Sequence, residues 1–367
     1  MKVLQLIHKP QPRGAEIFAA QLSDNLALQG HRSELLAIYE SMDAAKFNRT
    51  YHSINANPKA SLCDIAGWKA LATKIAAEQP DIVQANAGDT LKYAVFSKLF
   101  FRWRQPLVFR NASTLSSYLK KPLQKAYTGF LFRQTDAVAS VSEFSRQDLV
   151  RLFPSLSARA KVIPIGLEKK GAVSNPFPAG PPEQINLVHV GGFSFEKNHR
   201  GLLRIFKAAL ERLPDAHLLL VGDGPLRTET EALVKEMRLK ERVHFTGFVQ
   251  NPLDYIAHGQ ALLLPSIIEG LPGVILEAML YQTPVVAYKV GGIGEVVAPG
   301  KTGWLLEPGD ERGFAEAIVE VIGNSEKTAK VVMNAYQQVN EEYMNEGIAL
   351  SFIQLYQDLL KGGQVKK

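Results

Sequence analysis

The sequence predicts an α/β protein built from two doubly wound domains, each a parallel sheet covered by helices on both faces. Three observations predict it. Short apolar runs alternate with helical patterns along the whole chain, these runs form two series of similar size, and a Pro- and Gly-rich segment separates the series. With 367 residues, of which 46% are hydrophobic and 21% charged, the chain is long enough for two cores.

The first series opens with an apolar run and a Pro/Gly loop, followed by a helical pattern that stops at Gly30. Strand, loop and helix in that order are typical of the start of an α/β unit. The expected strands of this series are residues 3–7, 33–39, 80–86, 106–111, 136–142 and 161–166.

The second series repeats this arrangement, with helices expected at 199–213 and 275–282 between its strands. Its expected strands are residues 185–192, 216–224, 242–248, 261–266, 283–288 and 303–307. The amphipathic pattern at 352–362 predicts a last helix that crosses back to the first domain. The predicted division is a first domain of 1–168 with about 350–367, a linker of 169–182 and a second domain of 183–349.

Composition excludes several classes of protein. A single cysteine, Cys63, rules out a disulfide framework and a cysteine zinc site, and we expect it to be a small buried residue. No window of 18 apolar residues is free of charge, and the N-terminal apolar run is too short for a signal peptide. The expected location is therefore the cytoplasm.

Glycine-rich loops follow four expected strands of the second series: 190–198, 221–225, 245–249 and 265–274. Glycine lets the backbone approach a ligand closely, and a helix that starts in such a loop directs unpaired N–H groups at an anion. Each loop alone is weak evidence, because ordinary turns also use glycine. Four at successive strand ends indicate one shared site, in the cleft expected where two doubly wound domains face each other.

The segment EGLPGVILE at 269–277 is the most informative of these. Pro272 suits the first turn of a helix, whose N-terminal amides from about Leu271 to Val274 would face a diphosphate. Glu269 precedes this helix and Glu277 lies inside it, so one carboxylate could accept hydrogen bonds from a sugar and the other from a ribose. Spacing alone equally allows Glu277 to be an ordinary exposed helix residue.

At this point the sequence resembles the family 4 retaining glycosyltransferases, which have the GT-B fold of two Rossmann-like domains. The resemblance covers nearly the whole chain and is strongest from 188 to 310. The family's Glu-x7-Glu signature stands at Glu269 and Glu277, and its Gly-x5-Lys phosphate loop runs from Gly191 to Lys197. Further matching motifs are GDGP at 222–225, F-x-G-x at 245–248, GGIGE at 291–295, GKTGWLLEPGD at 300–310 and RGAE at 13–16.

The resemblance implies a role for each matching position. Lys197 contacts the donor's diphosphate, Glu269 holds hydroxyls of the transferred sugar, and Glu277 binds the nucleotide ribose. The remaining positions implied to bind the donor, chiefly through their backbone, are Gly14, Gly191, Gly192, Asn198, Gly222, Val249, Gly270, Leu271 and Pro272.

Two positions depart from the family pattern. Many members have an arginine where this chain has Gly192, so one phosphate clamp is missing, and Arg13, Lys9 or Arg200 could substitute. Many members also have a histidine near the sugar where this chain has Asn111. We place Asn111 with Glu269 and Lys197 as the catalytic candidates, although an asparagine can hydrogen-bond a hydroxyl but cannot carry a proton.

No Asp-x-Asp pair and no group of residues with metal-ligand spacing occurs in the sequence. We therefore expect no metal and no cofactor other than the donor substrate. The leaving diphosphate would be stabilised by Lys197, helix N-termini and loop amides.

Three histidines have open interpretations. His8, at the end of the first strand, either contacts a ligand or is a structural loop residue. His189 fits a hydrogen-bonded core position inside a strand, and we expect His199 to be exposed.

Between Asp89 and Asp136 no acidic residue occurs, while nine lysines and arginines do, more than the whole net charge of +6. Basic and aromatic side chains alternate through 92–133. A solvated helix face explains part of this pattern, and an interfacial helix on anionic lipid explains more of it. Nucleic acid is not expected as a partner, because no nucleic-acid motif accompanies the stretch.

The function predicted first is transfer of a hexose from a nucleotide-diphosphate sugar to a lipid-linked or growing glycan in bacterial lipopolysaccharide, capsule or exopolysaccharide synthesis. A UDP-sugar is favoured, and a GDP-sugar remains open. The enzyme would be peripheral on the inner face of the cytoplasmic membrane. Alternatives are a catalytically weak nucleotide-sugar-binding protein, suggested by Gly192 and Asn111, and a GT-B epimerase or phosphorylase. A nicotinamide dehydrogenase is disfavoured because no GxGxxG follows the first strand.

Overall fold

A computed structural model describes residues 1–11, 13–41, 44–47, 49–60, 63–169, 171, 173–177 and 184–364. The chain divides into two units, Met1–Gly166 with Asn345–Lys367, and Leu167–Met344. The predicted linker 169–182 lies partly outside the described residues. The α/β fold of two parallel sheets with flanking helices is confirmed.

The first unit contains a parallel sheet in the order β3-β2-β1-β4-β5-β6-β7. Its strands are β1 Lys2–Ile7, β2 Arg32–Ala37, β3 His52–Ser53, β4 Ile82–Ala85, β5 Leu107–Asn111, β6 Ala137–Ser140 and β7 Ala160–Val162. Its helices are α1 Gly14–Leu28, α2 Ala44–Phe47, α3 Ile65–Glu78, α4 Gly88–Phe101, α5 Leu115–Tyr118, α6 Pro122–Arg133 and α7 Glu143–Leu152.

The second unit contains a parallel sheet in the order β10-β9-β8-β11-β12-β13. Its strands are β8 Ile185–Val190, β9 Ala216–Val221, β10 Val243–Gly247, β11 Ala261–Leu264, β12 Val285–Tyr288 and β13 Trp304–Leu306. Its helices are α8 His199–Leu210, α9 Arg227–Glu236, α10 Pro252–His258, α11 Gly273–Leu280, α12 Ile293–Val296, α13 Glu311–Gly323 and α14 Ser325–Glu342.

In both sheets the order in which strands are added reverses at the same point, next to the first strand of the unit. The chain goes from β1 outward to β2 on one side and later returns to place β4 on the other side of β1. The second unit does the same with β8, β9 and β11. Helices that start after the two central strands then leave on opposite faces, which opens a crevice at the carboxyl ends of those strands.

The last helix, α15 Asn345–Gln364, belongs to the first unit and packs on α1. Phe352 and Tyr356 of α15 lie in one buried cluster with Val3, Phe18 and Leu26. Large apolar side chains on one face of α15 therefore complete the helical layer on this side of the first sheet.

Glutamines occur in buried strands of the first sheet, which apolar patterning alone would not place there. The Tyr356 hydroxyl donates to Gln84 Oε1 at 2.6 Å, Gln84 Nε2 donates to Asn86 Oδ1 at 3.0 Å, and Asn86 Nδ2 donates to Gln5 Oε1 at 2.9 Å. Such a chain offsets much of the desolvation cost of these buried amides, because every side-chain atom that it joins gains a partner. Gln5 Nε2, at the end of the chain, has none among the described residues.

The expectation that Cys63 is buried is wrong. Cys63 is exposed, in the loop immediately before α3, whose N-cap is Asp64. The residue that points inward here is Asp64, because its carboxylate accepts a hydrogen bond from the Gly67 amide at 2.9 Å.

Candidate functional site

The centre of the candidate site is an ion pair at the switch point of the second sheet. Lys197 follows β8, Glu269 follows β11, and Lys197 Nζ lies 2.6 Å from Glu269 Oε1. Only 20% of the lysine side chain and 11% of the glutamate side chain are exposed, so water screens this pair weakly. The structure thus brings together two residues that are 72 positions apart in sequence.

Asn198 explains why Lys197 is held there. Residues Phe195–Lys197 form one turn of 3-10 helix, and Asn198 then takes a left-handed conformation with φ 54°. Its Oδ1 accepts from the Gly201 amide at 3.2 Å, which caps α8, and its Nδ2 donates to the Pro265 carbonyl at 3.1 Å. Both ends of this amide are therefore used to join the start of α8 to the end of β11.

Gly222 is required by close contact between two strand ends. A Cβ at Gly222 would lie 2.1 Å from the carbonyl oxygen of Gly191, and the φ of Gly222 is 138°. Gly191 itself lies against the stem of Lys197, because a Cβ there would be 3.3 Å from Lys197 Cδ and Cε. These glycines therefore allow the loops after β8 and β9 to pack directly beneath the lysine.

The α11 terminus forms the opposite wall. The expectation that this helix starts at Pro272 is shifted by one residue: Pro272, with ψ 122°, is the N-cap and the helix begins at Gly273. The loop before it is fixed by Gly291, where a Cβ would lie 2.0 Å from the Glu269 carbonyl oxygen, and by the Gly292 amide, which donates to the Gly270 carbonyl. Gly270, Leu271 and Pro272 are all buried in this loop.

Gly192 and Val249 are placed less tightly. A Cβ at Gly192 would have the Asp223 carbonyl oxygen 3.6 Å away, an ordinary contact, so a larger residue could stand there. Val249 is half-buried two residues after β10, beside the 53% exposed Phe248. Glu277 lies in the second turn of α11 and is half-buried, so it is not the fully exposed helix residue of the alternative interpretation.

Two buried histidines underlie the Lys197 loop. His199 is 4% exposed, which contradicts the expectation of an exposed residue, because it is the first residue of α8 and stacks on Phe193 with ring centroids 4.1 Å apart. Its ring also meets that of His189 edge-on at 4.8 Å. Burial, with Lys197 adding to it, lowers the pKa of His199 to about 4, so the ring is neutral at neutral pH.

His189 is a core histidine, but the prediction that it is fully hydrogen-bonded is only half right. Its Nδ1 lies 2.8 Å from the Leu263 carbonyl, which can only accept, so Nδ1 carries the proton. Within the described parts of the chain its Nε2 has no partner. Burial also holds the pKa of His189 well below its usual range.

The switch point of the first sheet carries a different pair. His8 directly follows β1, Asp89 stands in the first turn of α4 after β4, and His8 Nδ1 lies 3.1 Å from Asp89 Oδ2. The hydrogen bond from His8 lowers the pKa of Asp89 below its usual value, so the carboxylate is ionised. This position favours a ligand contact for His8 over a purely structural role, because a carboxylate orients its ring at the place where open α/β sheets bind ligands.

Asn111 ends β5 and is 1% exposed. Its Nδ2 lies 3.4 Å from Ser140 Oγ and 3.3 Å from the Ser145 carbonyl, while its Oδ1 has no partner among the described residues. Gly14 is the first residue of α1, and no described atom lies within 4 Å of where its Cβ would be. The structure therefore leaves Gly14 open to a ligand and leaves Asn111 one acceptor atom.

Next to this edge lies a buried arginine that the sequence pattern did not single out. Arg110 is 5% exposed, and its guanidinium lies 3.8 Å from the ring centroid of Phe18. Burial lowers the pKa of Arg110 to about 9, partly opposed by the buried Glu16. Its charge is thus internal and does not belong to the basic surface.

The other basic residues of the 92–133 stretch are distributed over α4, α6 and the loops beside them. Six of them are exposed: Arg102, Arg104, Lys120, Lys121, Lys125 and Arg133. Exposed apolar side chains accompany them: Leu99, Phe100, Phe101, Tyr118, Leu123, Tyr127 and Phe130. Phe96 joins the two helices, with its ring 6.5 Å from Tyr127 and 6.3 Å from Phe130. We call these exposed residues the basic–aromatic face.

The described residues hold neither a metal-binding cluster nor a membrane-spanning helix. No group of three or more His, Cys, Asp or Glu is arranged to hold a metal ion. No helix in the described part of the chain is both long and apolar enough to span a membrane.

Sequence reasoning identified Lys197 and Glu269 but missed Asp89 as a partner for His8. A usable signal existed. His8 directly follows β1, and Asp89 stands at the start of the helix after β4, the neighbouring strand across the switch point; their spacing of 81 residues hides this in the linear sequence. For Arg110 no such signal existed, since arginine is seldom buried.

Comparison with known proteins extends over both units. Residues 12–169 match the model of "Glycosyltransferase Family 4", and residues 184–324 match that of "Glycosyl transferases group 1".

Among curated relatives, N-acetyl-alpha-D-glucosaminyl L-malate synthase of Bacillus anthracis is 33% identical over 48% of this chain and 46% of its own length. The lipopolysaccharide core biosynthesis glycosyltransferase LpsE of Rhizobium meliloti is 24% identical over 67% of this chain and 70% of its own. The chain thus spans only part of these relatives, 46% of the length of the synthase and 70% of that of LpsE.

Among solved structures, Anabaena Alr3699/HepE in complex with UDP and glucose superposes with a TM-score of 0.82 at 22% identity. The superposition covers 98% of this chain and 100% of that one, so the fold is GT-B. The two family models together account for most of the chain, and the chain belongs to the family 4 glycosyltransferases.

Proposed function

We propose that this glycosyltransferase transfers a hexose, with retention of anomeric configuration and without a metal ion, from a nucleotide-diphosphate sugar to a lipid-linked or growing glycan. The observation that carries the proposal is the ion pair of Lys197 and Glu269 at the switch point of the second sheet. The pair places a cation and a sugar-binding carboxylate within 2.6 Å of each other, next to the start of α11.

Charge development explains the arrangement. When the bond from the sugar to the diphosphate breaks, negative charge grows on the leaving phosphate oxygens. Lys197 and the first-turn amides of α11, which have no partners within the helix, would stabilise this charge. Glu269 accepts hydrogen bonds from sugar hydroxyls, and its proximity keeps Lys197 in place before the donor binds.

Other contacts to the donor follow the family pattern. Gly191, Gly192 and Gly222 would let the backbone approach the phosphates, and Val249 would meet the base. Glu277 would accept hydrogen bonds from the ribose. In the first unit, Gly14 would offer an open backbone. Asn111 Oδ1 is buried, so it would accept a hydrogen bond from the sugar only after its side chain turns outward. Asn198 would act indirectly, because both ends of its side-chain amide are bonded to the protein and hold the Lys197 loop.

A uridine nucleotide is the proposed base, and bacterial cell-surface polysaccharide synthesis the proposed pathway. Support comes from the structural neighbour solved with UDP and glucose and from the relative named for lipopolysaccharide core biosynthesis. A second candidate, a nucleotide-sugar-binding protein of low activity, is favoured by Gly192, where an arginine side chain is missing, and by Asn111, which cannot carry a proton.

The test is a thermal-shift panel of UDP, GDP, ADP, CDP and dTDP, with magnesium or with EDTA, followed by NMR of the product from the matching donor sugar. A ligand present at 100 times its dissociation constant stabilises the fold by about 2.7 kcal/mol, which the method detects. We expect a shift with UDP that EDTA leaves unchanged, and a product with the donor's anomeric configuration. Free UDP formed at full rate without any acceptor would instead indicate an epimerase or a hydrolase.

We further propose that the basic–aromatic face docks the first unit on an anionic membrane surface, from the cytoplasmic side. Exposed aromatic rings suit the headgroup region, and each lysine or arginine near an anionic surface contributes about 1 kcal/mol of attraction. Phe100, with 59% of its surface accessible, and Phe130 are exposed, and so are six lysines and arginines of the same stretch.

Vesicle flotation tests this docking. We expect binding to phosphatidylcholine vesicles that contain phosphatidylglycerol and little binding to phosphatidylcholine alone. The variants Phe100→Ser with Phe130→Ser, and Lys120→Gln with Lys121→Gln, should weaken binding, while Leu350→Ser, an exposed apolar residue on α15, should not. Equal binding to both vesicle types would remove the proposal.

A further inference from the structure

The pair of His8 and Asp89 is the feature of the first unit that the donor site does not use. The two residues come from segments that follow adjacent strands, β1 and β4, whose register pairs Leu6 with Ala85. The order in which strands are added to the sheet reverses between these two parallel strands, and ligands of open α/β sheets bind outside the carboxyl ends of the strands at such points. The pair therefore stands where a ligand of the first unit is expected.

The chemistry of the pair leaves one ring nitrogen available. An ionised carboxylate can only accept a hydrogen bond, so the proton of the neutral imidazole is on Nδ1, which faces Asp89. Nε2 then carries a lone pair and accepts hydrogen bonds. The histidine side chain is 33% exposed, so the ring is partly accessible to solvent.

The ring is also held by packing. Its centroid lies 5.1 Å from that of Tyr39, which follows β2, and the Tyr39 hydroxyl donates to the Tyr93 hydroxyl at 3.2 Å. Tyr93 in turn donates to Asp64 at 2.8 Å. A carboxylate on one side and an anchored ring on another restrict the imidazole to one orientation, as happens for histidines that hold a ligand.

A role in folding stability alone explains the His8–Asp89 pair less well than ligand binding does. The Asp89 side chain is 53% exposed, and ion pairs this open to water contribute little to folding stability. The charged group in contact with the ring is Asp89 from α4, and Glu16 from the start of α1 also interacts with the ring electrostatically. A carboxylate beside the ring repels an anion, so the site favours a neutral hydroxyl ligand.

We propose that His8 and Asp89 form an acceptor-binding site for a sugar or other polyol: His8 Nε2 accepts the hydrogen bond of an acceptor hydroxyl, and Asp89 is the positioning residue that fixes the imidazole. The assignment rests on the proposed transferase function. It gives the first unit a residue that contacts the acceptor, separate from the donor residues of the second unit.

The experiment uses the full chain with UDP-glucose as donor and octyl β-D-glucopyranoside, below its micellar concentration, as the probe acceptor. We expect His8→Ala to lower kcat/KM for the octyl glucoside about 10- to 100-fold, because it removes the partner of a hydroxyl. Asp89→Asn should lower it less, and His8→Gln should restore part of the loss, since its amide oxygen also accepts. The matched control His52→Ala, at an exposed histidine of β3, should leave it unchanged.

Two further measurements keep each result decisive. The UDP-induced thermal shift should be the same in wild type, His8→Ala and Asp89→Asn; its absence from all proteins would count against the donor function and not against this site. Binding of the octyl glucoside alone is followed by ¹⁵N NMR of the histidine rings, where the His8 Nε2 signal should move. An unmoved His8 signal, or His8→Ala and Asp89→Asn within twofold of wild type, would overturn the proposal.

Discussion

The switch point of the second unit joins a lysine to a glutamate, whereas that of the first unit joins a histidine to an aspartate. The first of these pairs is mostly buried, at 20% and 11% exposure, and the other is open, at 33% and 53%. A shielded cation suits a phosphate group whose charge grows during reaction. An open imidazole held by a carboxylate suits a neutral hydroxyl. One topology, used twice, thus supports two kinds of recognition.

The two pairs also differ in their surroundings, which are mainly backbone for one pair and side chains for the other. Glycines at 191, 222 and 291 bring backbone to within contact of the Lys197 and Glu269 segments. The contacts of His8 are instead with side chains, those of Asp89 and Tyr39. Backbone contacts leave little freedom for variation, whereas side-chain contacts can change with the acceptor.

Removing either charge of the Lys197–Glu269 pair should have the largest effect on activity. We expect Lys197→Met or Glu269→Gln to lower the rate of sugar transfer by about 10²- to 10³-fold, as loss of one stabilising group for the leaving oxygen does elsewhere. Turnover of UDP-glucose measures it. Lys289→Met is the control, since that lysine is 61% exposed in a long ion pair with Glu307. A Lys197→Met enzyme that keeps a third of the activity would contradict the assignment.

The close backbone contact at Gly222 predicts a large effect on stability. Gly222→Ala should lower the free energy of unfolding by about 3 kcal/mol, because its Cβ would overlap the Gly191 carbonyl at a positive φ. Gly192→Ala, whose Cβ has ordinary space, should change it by less than about 0.5 kcal/mol. Urea unfolding measures the free energy of unfolding of both variants. Equal losses would contradict this prediction, because they would mean that the loop shifts to make room for a Cβ at Gly222.

Acid should destabilise the second unit through its buried histidines. The pKa of His199 is about 4 in the folded protein, against 6.5 for an unperturbed ring. The stability that its neutral ring contributes is therefore complete above pH 6.5 and is lost as the pH falls from 6.5 towards 4. Between pH 7.5 and 5 this amounts to about 2 kcal/mol of unfolding free energy. His189 acts in the same direction.

The variant His199→Phe should therefore lose less stability than wild type on going from pH 7.5 to 5, with a difference of up to about 2 kcal/mol. The exposed His52→Phe is the control and should follow wild type. If both variants lose as much as wild type, His199 is not a source of the acid sensitivity.

The smallest predicted effect is a gain. Gly192→Arg should tighten UDP binding about tenfold, or about 1.4 kcal/mol, because it adds a cation beside the proposed phosphate site where the backbone leaves room. Gly192→Gln, of similar length but uncharged, is the control. Unchanged or weaker UDP binding by the arginine variant would place the phosphates elsewhere.

Much of the fold could be predicted from sequence, because buried parallel strands such as β8 and β11 appear as continuous apolar runs and the loops after them carry glycine. Glu269 could be predicted from its place between an apolar run and the start of a helix, whereas Lys197 could be predicted only from the resemblance to the family's Gly-x5-Lys loop. Periodicity could not show that His199 points inward, because a first helical residue can face either way. Nor could it show that Arg110 is buried, because its stacking on Phe18 depends on the packing of α1 against the sheet.

The division of labour between the two switch points is tested most directly by calorimetric titration of UDP into wild type, Lys197→Met and His8→Ala. We predict that Lys197→Met raises the dissociation constant for UDP at least tenfold and that His8→Ala leaves it within twofold of wild type. A His8→Ala protein that binds UDP as weakly as Lys197→Met would contradict the assignment of donor and acceptor to separate pairs.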